Sequence, residues 1–351
     1  MLRTTTPSRP AALSDLLPSE LIAKLDPLDL SSRKVFFGKM KGERRSKKRG
    51  ESVEFADHRA YVIGDDIRHI DWNIFGRLDR LFLKLFLEEE DLAVHAVIDA
   101  SASSDCGEPN KFLFMQKAAM AMGYVGLANL NRVAVTSMGG YVETPGRAEG
   151  GAADGSNSAS AADGSQAPIP GSSTPSLRLS GTSSLLPSIR DLRGKRRVHD
   201  LARFLLSLRP GGPLNFRAAA ERIALSRRGK GIMLVFSDFF FKEGYEAGLK
   251  MLVGRGYDVF LVQVLSPQEL DPAGPNGVVG DLRLRDVEDA DFAEVTISAP
   301  LLKRYKANLA AYCDQLRDFC LRRDMSLLTV RSDTPIETLV LDYLRKRGVV
   351  K

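Results

Sequence analysis

The sequence predicts an α/β fold in which a mostly parallel sheet carries helices on both faces. From residue 92 onward, apolar segments of strand length alternate with segments of helical length, which is typical of such a sheet. Residues 94–98, 231–236 and 257–265 are nearly continuous apolar runs, as expected of strands buried on both sides. With 351 residues and 44% apolar content, the chain can bury one large core and a small accessory layer.

The pattern places the elements in order and divides the chain into three parts. The predicted strands lie at 92–99, 131–137, 231–238, 257–265 and 325–331, with a hairpin at 280–297. The predicted helices lie at 111–130, 198–208, 216–228, 243–253, 300–323 and 335–347. The first part, 1–32, is a weak lead-in with one short amphipathic stretch at 19–25; the second, 33–91, is basic and then mixed. The α/β domain fills 92–351, interrupted at about 143–190 by a Gly, Ala, Ser and Pro-rich insertion expected to be disordered.

Composition narrows the class of protein without naming an activity. The net charge of +6 comes largely from a local basic cluster. The three cysteines are odd in number and form no CxxC pair, so we expect free thiols rather than disulfides or a zinc site. The first residues lack the apolar core of a signal peptide, and no segment is long and apolar enough to cross a bilayer. The expectation is a soluble cytoplasmic protein.

Polar side chains end two of the predicted strands. Asp99 follows the first apolar run, with Ser101 and Ser103 at alternate positions, and Asp238 ends the run that begins at residue 231. Ligands of open α/β sheets bind at the carboxyl ends of the strands, and Mg²⁺ prefers a few hard oxygen ligands together with water. The pattern predicts a site for Mg²⁺ or Mn²⁺ on these residues. The alternative is a pair of strand ends capped by their own side chains, with no ion.

A block at residues 64–72, GDDIRHIDW, predicts a helix capped by Asp65 or Asp66. Isoleucines 67, 70 and 74 recur at helical spacing and are expected to face the core. Arg68, Asp71 and Arg77 are expected to form a partly buried ionic network that also recruits nearby histidines. The alternative is a docking face for a partner, with Trp72 as its anchor.

A basic stretch precedes this block at residues 44–49. A solvated charge run, contact with an acidic face of a partner, and attraction to nucleic acid or anionic lipid are its three interpretations. No nucleic-acid recognition fold accompanies the stretch, so nucleic acid is an unlikely partner.

Together, the basic stretch, the block and the DASAS sequence that ends the first strand resemble the bacterial family catalogued as domain of unknown function 58. The matching residues, within the block and on either side of it, are Gly50, Glu54, Phe55, Arg59, Tyr61, Gly64, Asp65, Asp66, Arg68, Ile70, Asp71, Trp72 and Arg77. The resemblance implies a Rossmann-like von Willebrand factor A domain with a metal-ion-dependent adhesion site. It also implies a MoxR-type AAA+ ATPase as partner, in chaperone-like assembly or maturation of a client protein. The membrane-spanning helices of many members are missing from this sequence.

One departure from the adhesion site concerns its threonine ligand. In the loop 210–215, Pro213 stands where the threonine is expected, and proline has no hydroxyl. The amide oxygen of Asn215 could substitute after a local shift.

The sequence therefore favours a non-enzymatic interaction module or adaptor. It contains no phosphate-binding GxxxxGK[ST] loop, no HExxH and no GxSxG elbow. The alternatives are a metal-dependent phosphoester hydrolase that uses the same Asp and Ser cluster, and an electrostatic nucleic-acid binder.

Overall fold

The computed structural model describes residues 9–31, 54–87, 92–143, 186–226, 231–272, 280–285 and 292–351. The strands are β1 Glu54–Ala60, β2 Phe82–Leu87, β3 Ala93–Asp99, β4 Arg132–Met138, β5 Tyr141–Val142, β6 Ser188–Leu192, β7 Leu208–Arg209, β8 Gly231–Ser237, β9 Asp258–Leu265, β10 Gly280–Arg285, β11 Phe292–Ile297 and β12 Ser326–Arg331. The α-helices are α1 Leu13–Leu16, α2 Ser19–Leu25, α3 Trp72–Leu78, α4 Lys111–Ala128, α5 Val198–Ser207, α6 Phe216–Ser226, α7 Glu246–Val253, α8 Pro267–Leu270 and α9 Ala299–Leu321, and a π-helical segment follows at Thr338–Leu344.

Six strands form the main sheet in the spatial order β12–β9–β8–β3–β4–β6. Every neighbouring pair is parallel except β4 and β6, so one edge strand runs against the rest. The strands β3 and β8 lie side by side in register, with Ile98 opposite Phe236. Their carboxyl ends therefore meet at one edge of the sheet. The predicted α/β class with a mostly parallel sheet is confirmed.

Helices cover both faces of this sheet because alternate residues of each central strand point to opposite sides. In β8, Ile232, Leu234 and Phe236 join one apolar cluster, which α1, α2, α4, α5 and the π-helical segment complete. Met233 and Val235 join the other cluster, together with α6, α7 and α9. The central strands are buried along their whole length, as their apolar runs predict.

The lead-in contributes to the core more than its sequence suggests. The amphipathic stretch forms α2 as predicted, and α1 and α2 pack on α4. The buried leucines of this segment are Leu16, Leu17, Leu21, Leu25, Leu28 and Leu30. Leu30 forms an antiparallel bridge with Val350, so the segment also pairs with residues near the other end of the chain.

The predicted end of the insertion, at about residue 190, lies too late in the sequence. Residues 144–185 lie outside the described residues, but β6 begins at Ser188 and pairs with β4. An edge strand has one exposed flank, so its sequence, SIRDL, is short and half polar. The apolar pattern therefore did not predict this strand.

The block at 64–72 is not one helix, which corrects the prediction. A single 3₁₀ turn, Ile67–His69, is followed by the extended residue Ile70, which bridges to Leu83 in β2. The helix α3 then begins at Trp72 with Asp71 as its N-cap. The break rotates Ile67 away from the core, where it is 63% exposed, whereas Ile70 is buried.

The chain also forms hairpins. The strands β1 and β2 pair antiparallel, and so do β10 and β11 within the predicted 280–297 hairpin. None of the helices in the described part of the chain is long and apolar enough to cross a lipid bilayer.

Candidate functional site

The predicted metal ligands meet at the carboxyl edge of β3 and β8. Asp99 is the last residue of β3, Ser101 follows it, and Ser103 lies in a 3₁₀ turn, Ala102–Ser104. Asp238 follows the last residue of β8. The charge of Asp238 is close enough to Asp99 to contribute to the raised pKa of Asp99, after the larger effect of burial. The sequence pattern and the parallel pairing of the strands account for this arrangement.

Asp99 is a buried carboxylate with neutral hydrogen-bond donors. It is 1% exposed, and its oxygens accept hydrogen bonds from the Ser101 N–H at 3.0 Å and the Ser237 hydroxyl at 2.6 Å. Burial, and then the nearby charge of Asp238, raise the pKa of Asp99 to about 6. Among the described residues no basic side chain pairs with it. A carboxylate in this situation favours binding a cation.

The two serines lie beside this carboxylate. The hydroxyl oxygens of Ser101 and Ser103 are 2.9 Å apart, and Ser101 is buried whereas Ser103 is partly exposed. The hydroxyl of Ser104 points elsewhere and donates to the Ser101 carbonyl at 2.8 Å. Hydroxyl oxygens at alternate positions therefore extend from the buried acid toward the surface.

The loop 210–215 lies against this edge of the sheet. The Gly212 carbonyl accepts from the Ala102 N–H at 3.0 Å, and the Gly211 N–H donates to the Ala100 carbonyl at 3.0 Å. Gly140 permits this close approach, because a Cβ there would lie 2.4 Å from the Arg209 carbonyl oxygen.

The same loop supplies no replacement for the missing threonine. Pro213 is exposed and has no hydroxyl. The Asn215 side-chain oxygen caps α6 by accepting from the Ala218 N–H at 2.7 Å, and its amide donates to Glu243 at 2.8 Å. Asn215 is therefore engaged at the start of α6, and the substitution considered from the sequence is not the arrangement found.

Lys111 is the most unusual charged residue at this edge, and it was not among the site residues predicted from the sequence. It is the first residue of α4 and 0% exposed, and its Nζ atom lies 2.6 Å from both Asp238 Oδ2 and Glu269 Oε1. Burial lowers the lysine pKa, but the charges of these two carboxylates together outweigh it and raise the pKa above its usual value. A lysine as the first residue of an otherwise apolar helix, next to a polar sheet edge, is a sequence signal that could have identified this residue.

Glu269 reaches the lysine from α8, which follows β9. Its other oxygen accepts from the Ser266 N–H at 2.8 Å and the Ser266 hydroxyl at 3.0 Å, which completes a capping box. The Ser-x-x-Glu spacing was readable from the sequence. Cys106, whose Sγ lies 3.9 Å from Glu269 Oε1, is buried, and this burial raises its thiol pKa to about 11. The thiol is therefore protonated and unreactive.

The oxygen donors fit a small divalent cation. Within the described ranges, no three His, Cys, Asp or Glu residues form a group that could hold a metal. An adhesion-type site needs fewer, because hydroxyls and waters complete the shell of Mg²⁺. Asp99, Ser101 and Ser103 are the residues that could hold it directly. Asp238 lies beside them but is shared with Lys111.

The block residues form their own set of contacts in and around the β1–β2 hairpin. Arg59 pairs with Asp65 at 2.8 Å, and Arg68 pairs with Asp66 at 3.2 Å, with the arginine largely exposed. Arg77 is exposed in the last turn of α3. The predicted network of Arg68, Asp71 and Arg77 is therefore wrong, because Arg68 pairs with Asp66 and Asp71 pairs with His58 and Lys84.

Asp71 instead organises the block with other partners. One oxygen caps α3 by accepting from the Asn73 and Ile74 N–H groups, and the other lies 3.0 Å from His58 Nε2 and 3.3 Å from Lys84 Nζ. The hydrogen bond with His58 is the main cause that lowers the Asp71 pKa to about 2. The prediction that a histidine joins the block is confirmed. Trp72 is 62% exposed beside this cap.

These features define a class of protein: a mostly parallel α/β domain with a partly exposed, oxygen-rich site at the carboxyl edge of its sheet. The chain belongs to the family described as Protein of unknown function DUF58, which matches residues 57–160 and 179–315. It is also similar to uncharacterized proteins of Mycobacterium bovis (Mb1516) and Mycobacterium tuberculosis (MT1527 and Rv1480). Each is 22% identical over 344 residues, which covers 96% of this chain and 93% of the relative.

Proposed function

We propose that the protein is a non-enzymatic interaction module of the von Willebrand factor A type. In this proposal, Asp99, Ser101 and Ser103 hold Mg²⁺ or Mn²⁺, with Asp238 close by. An acidic side chain of a partner protein completes the coordination of the metal. The parallel sheet with helices on both faces, and the loop 210–215 that lies against the edge, support this type of domain.

One observation carries the proposal: Asp99 is buried, ionisable and hydrogen-bonded only to neutral groups among the described residues. A buried carboxylate without a counter-charge is costly, and a bound cation removes that cost. Ser103 is partly exposed, so a partner's side chain can reach a cation held there.

The proposed partner is a MoxR-type AAA+ ATPase, by analogy with what the family resemblance implies. The protein would present a client to this motor or act as its adaptor. The basic sequence at 44–49 suits an acidic surface on such a partner. An ATP-driven partner and free thiols suit a cytoplasmic location for the pair.

Metal binding is tested first, by calorimetric titration of the chelator-treated protein with Mg²⁺ and with Mn²⁺. Ser103→Ala removes a proposed ligand, and Ser104→Ala is the matched control because its hydroxyl bonds the Ser101 carbonyl instead. We expect wild type and the control to bind, and Ser103→Ala to bind at least about tenfold more weakly. If Ser103→Ala binds the metal as tightly as Ser104→Ala, Ser103 is not a ligand of the metal. If wild type binds no metal, the proposed function is refuted.

Partner binding is tested by co-purification with the MoxR-type ATPase of the same organism, in Mg²⁺ and in EDTA. The Asp99→Ala/Asp238→Ala variant runs beside wild type, with circular dichroism to confirm that it folds. Retention that requires both Mg²⁺ and the two acids supports the adhesion mechanism. If the ATPase is retained without Mg²⁺ and without the two acids, the protein is an adaptor that binds through another surface. If folded wild type does not retain the ATPase, the proposed partner is rejected.

A further inference from the structure

Lys111 is buried at a position where a positive charge is unfavourable. It opens α4, where the N-terminal end of the helix dipole repels cations, and it is fully shielded from water. The contacts at 2.6 Å to Asp238 and to Glu269 offset both effects. The lysine is therefore held by two acids that converge from different parts of the sheet edge.

Asp238 already has partners for both of its carboxylate oxygens in the metal-free protein. One Asp238 oxygen faces the lysine and the other accepts from the Phe240 N–H at 3.0 Å. Two carboxylates, Asp238 and Glu269, thus share a single ammonium, and Asp99 adds a third carboxylate that has no basic partner among the described residues. The excess negative charge matches a divalent cation, but the ammonium repels that cation and competes with it for Asp238.

We propose that Lys111 is the residue that sets the cation affinity of the Asp99 site, by acting as a resident competitor for Asp238. This inference rests on the proposed function, because it requires a cation at Asp99, Ser101 and Ser103. Glu269 also affects this competition, because it shares the ammonium group with Asp238. Removing Glu269 leaves the lysine paired with Asp238 alone.

The test is calorimetric titration with Mg²⁺ and Mn²⁺ across a set of charge variants. Lys111→Met removes the competitor with little change in shape, and we expect at least about tenfold tighter binding. Glu269→Gln removes an acid and keeps the lysine, and we expect at least about tenfold weaker binding. Lys117→Met, which removes a partly exposed lysine from the same helix, is the matched control and should bind like wild type.

A second measurement covers the case in which Lys111→Met does not fold without metal. The double variant Lys111→Met/Glu269→Gln restores the wild-type charge balance, and we expect it to fold and to bind at least as tightly as wild type. Thermal unfolding in EDTA and in Mg²⁺ should show a metal-dependent stabilisation of the double variant that is at least as large as that of wild type.

The outcomes separate the two proposals. If wild type binds metal and neither charge variant changes its affinity, the role of Lys111 is refuted and the proposed function stands. If only Lys111→Met binds, the lysine excludes the metal in the natural protein, which supports the competition and refutes the proposed function. If neither protein binds, both proposals are refuted.

Discussion

Replacing Asp99 by asparagine should stabilise the metal-free protein at neutral pH. Asparagine keeps the side-chain oxygen that accepts from the Ser101 N–H but carries no charge. In wild type, ionised Asp99 is buried and lies near the charge of Asp238, and both effects disfavour the native state. The substitution removes that cost, whereas most substitutions at a buried polar residue destabilise a protein.

The magnitude follows from the pKa. Burial first, and then the Asp238 charge, raise the Asp99 pKa from 3.8 to about 6. A tenfold change in a protonation equilibrium corresponds to about 1.4 kcal/mol, so ionised Asp99 costs about 3 kcal/mol in the native state. Because the native pKa is raised, the cost is complete above about pH 7, decreases as the pH falls through about 6, and vanishes below about pH 4.

Urea unfolding in EDTA at several pH values measures this difference. We expect Asp99→Asn to exceed wild type by about 3 kcal/mol near pH 7 and to equal it near pH 4. Groups that titrate alike in both proteins cancel in the comparison. In Mg²⁺ the order should reverse, because only wild type retains the carboxylate. A variant that is less stable than wild type at neutral pH in EDTA, or a difference independent of pH, would refute the reasoning.

Three further predictions concern other parts of the molecule. Gly126→Ala should destabilise the protein by about 1–3 kcal/mol in urea unfolding, because its Cβ would lie 2.7 Å from Val133 Cγ2; a stable variant would mean that the helix can shift. Asp71→Asn should speed amide exchange in α3, and the difference from wild type should disappear as the pH falls from about 4 to about 2, where wild-type Asp71 itself becomes protonated. Equal exchange at neutral pH would contradict this. Trp72→Ala should change the free energy of unfolding by less than about 0.5 kcal/mol, since the side chain is 62% exposed; a larger loss would show that it packs.

The sheet and the location of its polar edge were predictable because each depends on local pattern. Continuous apolar runs fix which segments are central strands, and parallel pairing then brings the ends of β3 and β8 together. Asp99 and Asp238 needed only this information to be placed at one edge. The largely buried helix α4 was predicted for the same reason, since it is apolar on most faces.

The charges around Lys111 could not be obtained in this way. Its partners are Asp238, which follows β8, and Glu269 in α8. Their distances from the lysine depend on β9 lying next to β8, which local pattern does not determine. The prediction that Ile67 faces the core was wrong for a related reason. Its helical spacing was real, but the pairing of Ile70 with Leu83 in β2 interrupts the helix. Contacts between distant segments decided both cases.

The buried leucines of residues 16–30 bear on where a stable fragment of this protein can be cut. The family match begins at residue 57 and ends at 315, inside α9. A fragment trimmed to those limits would expose the face of α4 that α1 and α2 cover, and it would lose β12, which pairs with β9. It would then present an apolar helix surface and an open strand edge to solvent, and both promote aggregation. The cooperative folding unit is therefore larger than the recognisable family sequence, and expression should start before Leu13 and continue through Val350.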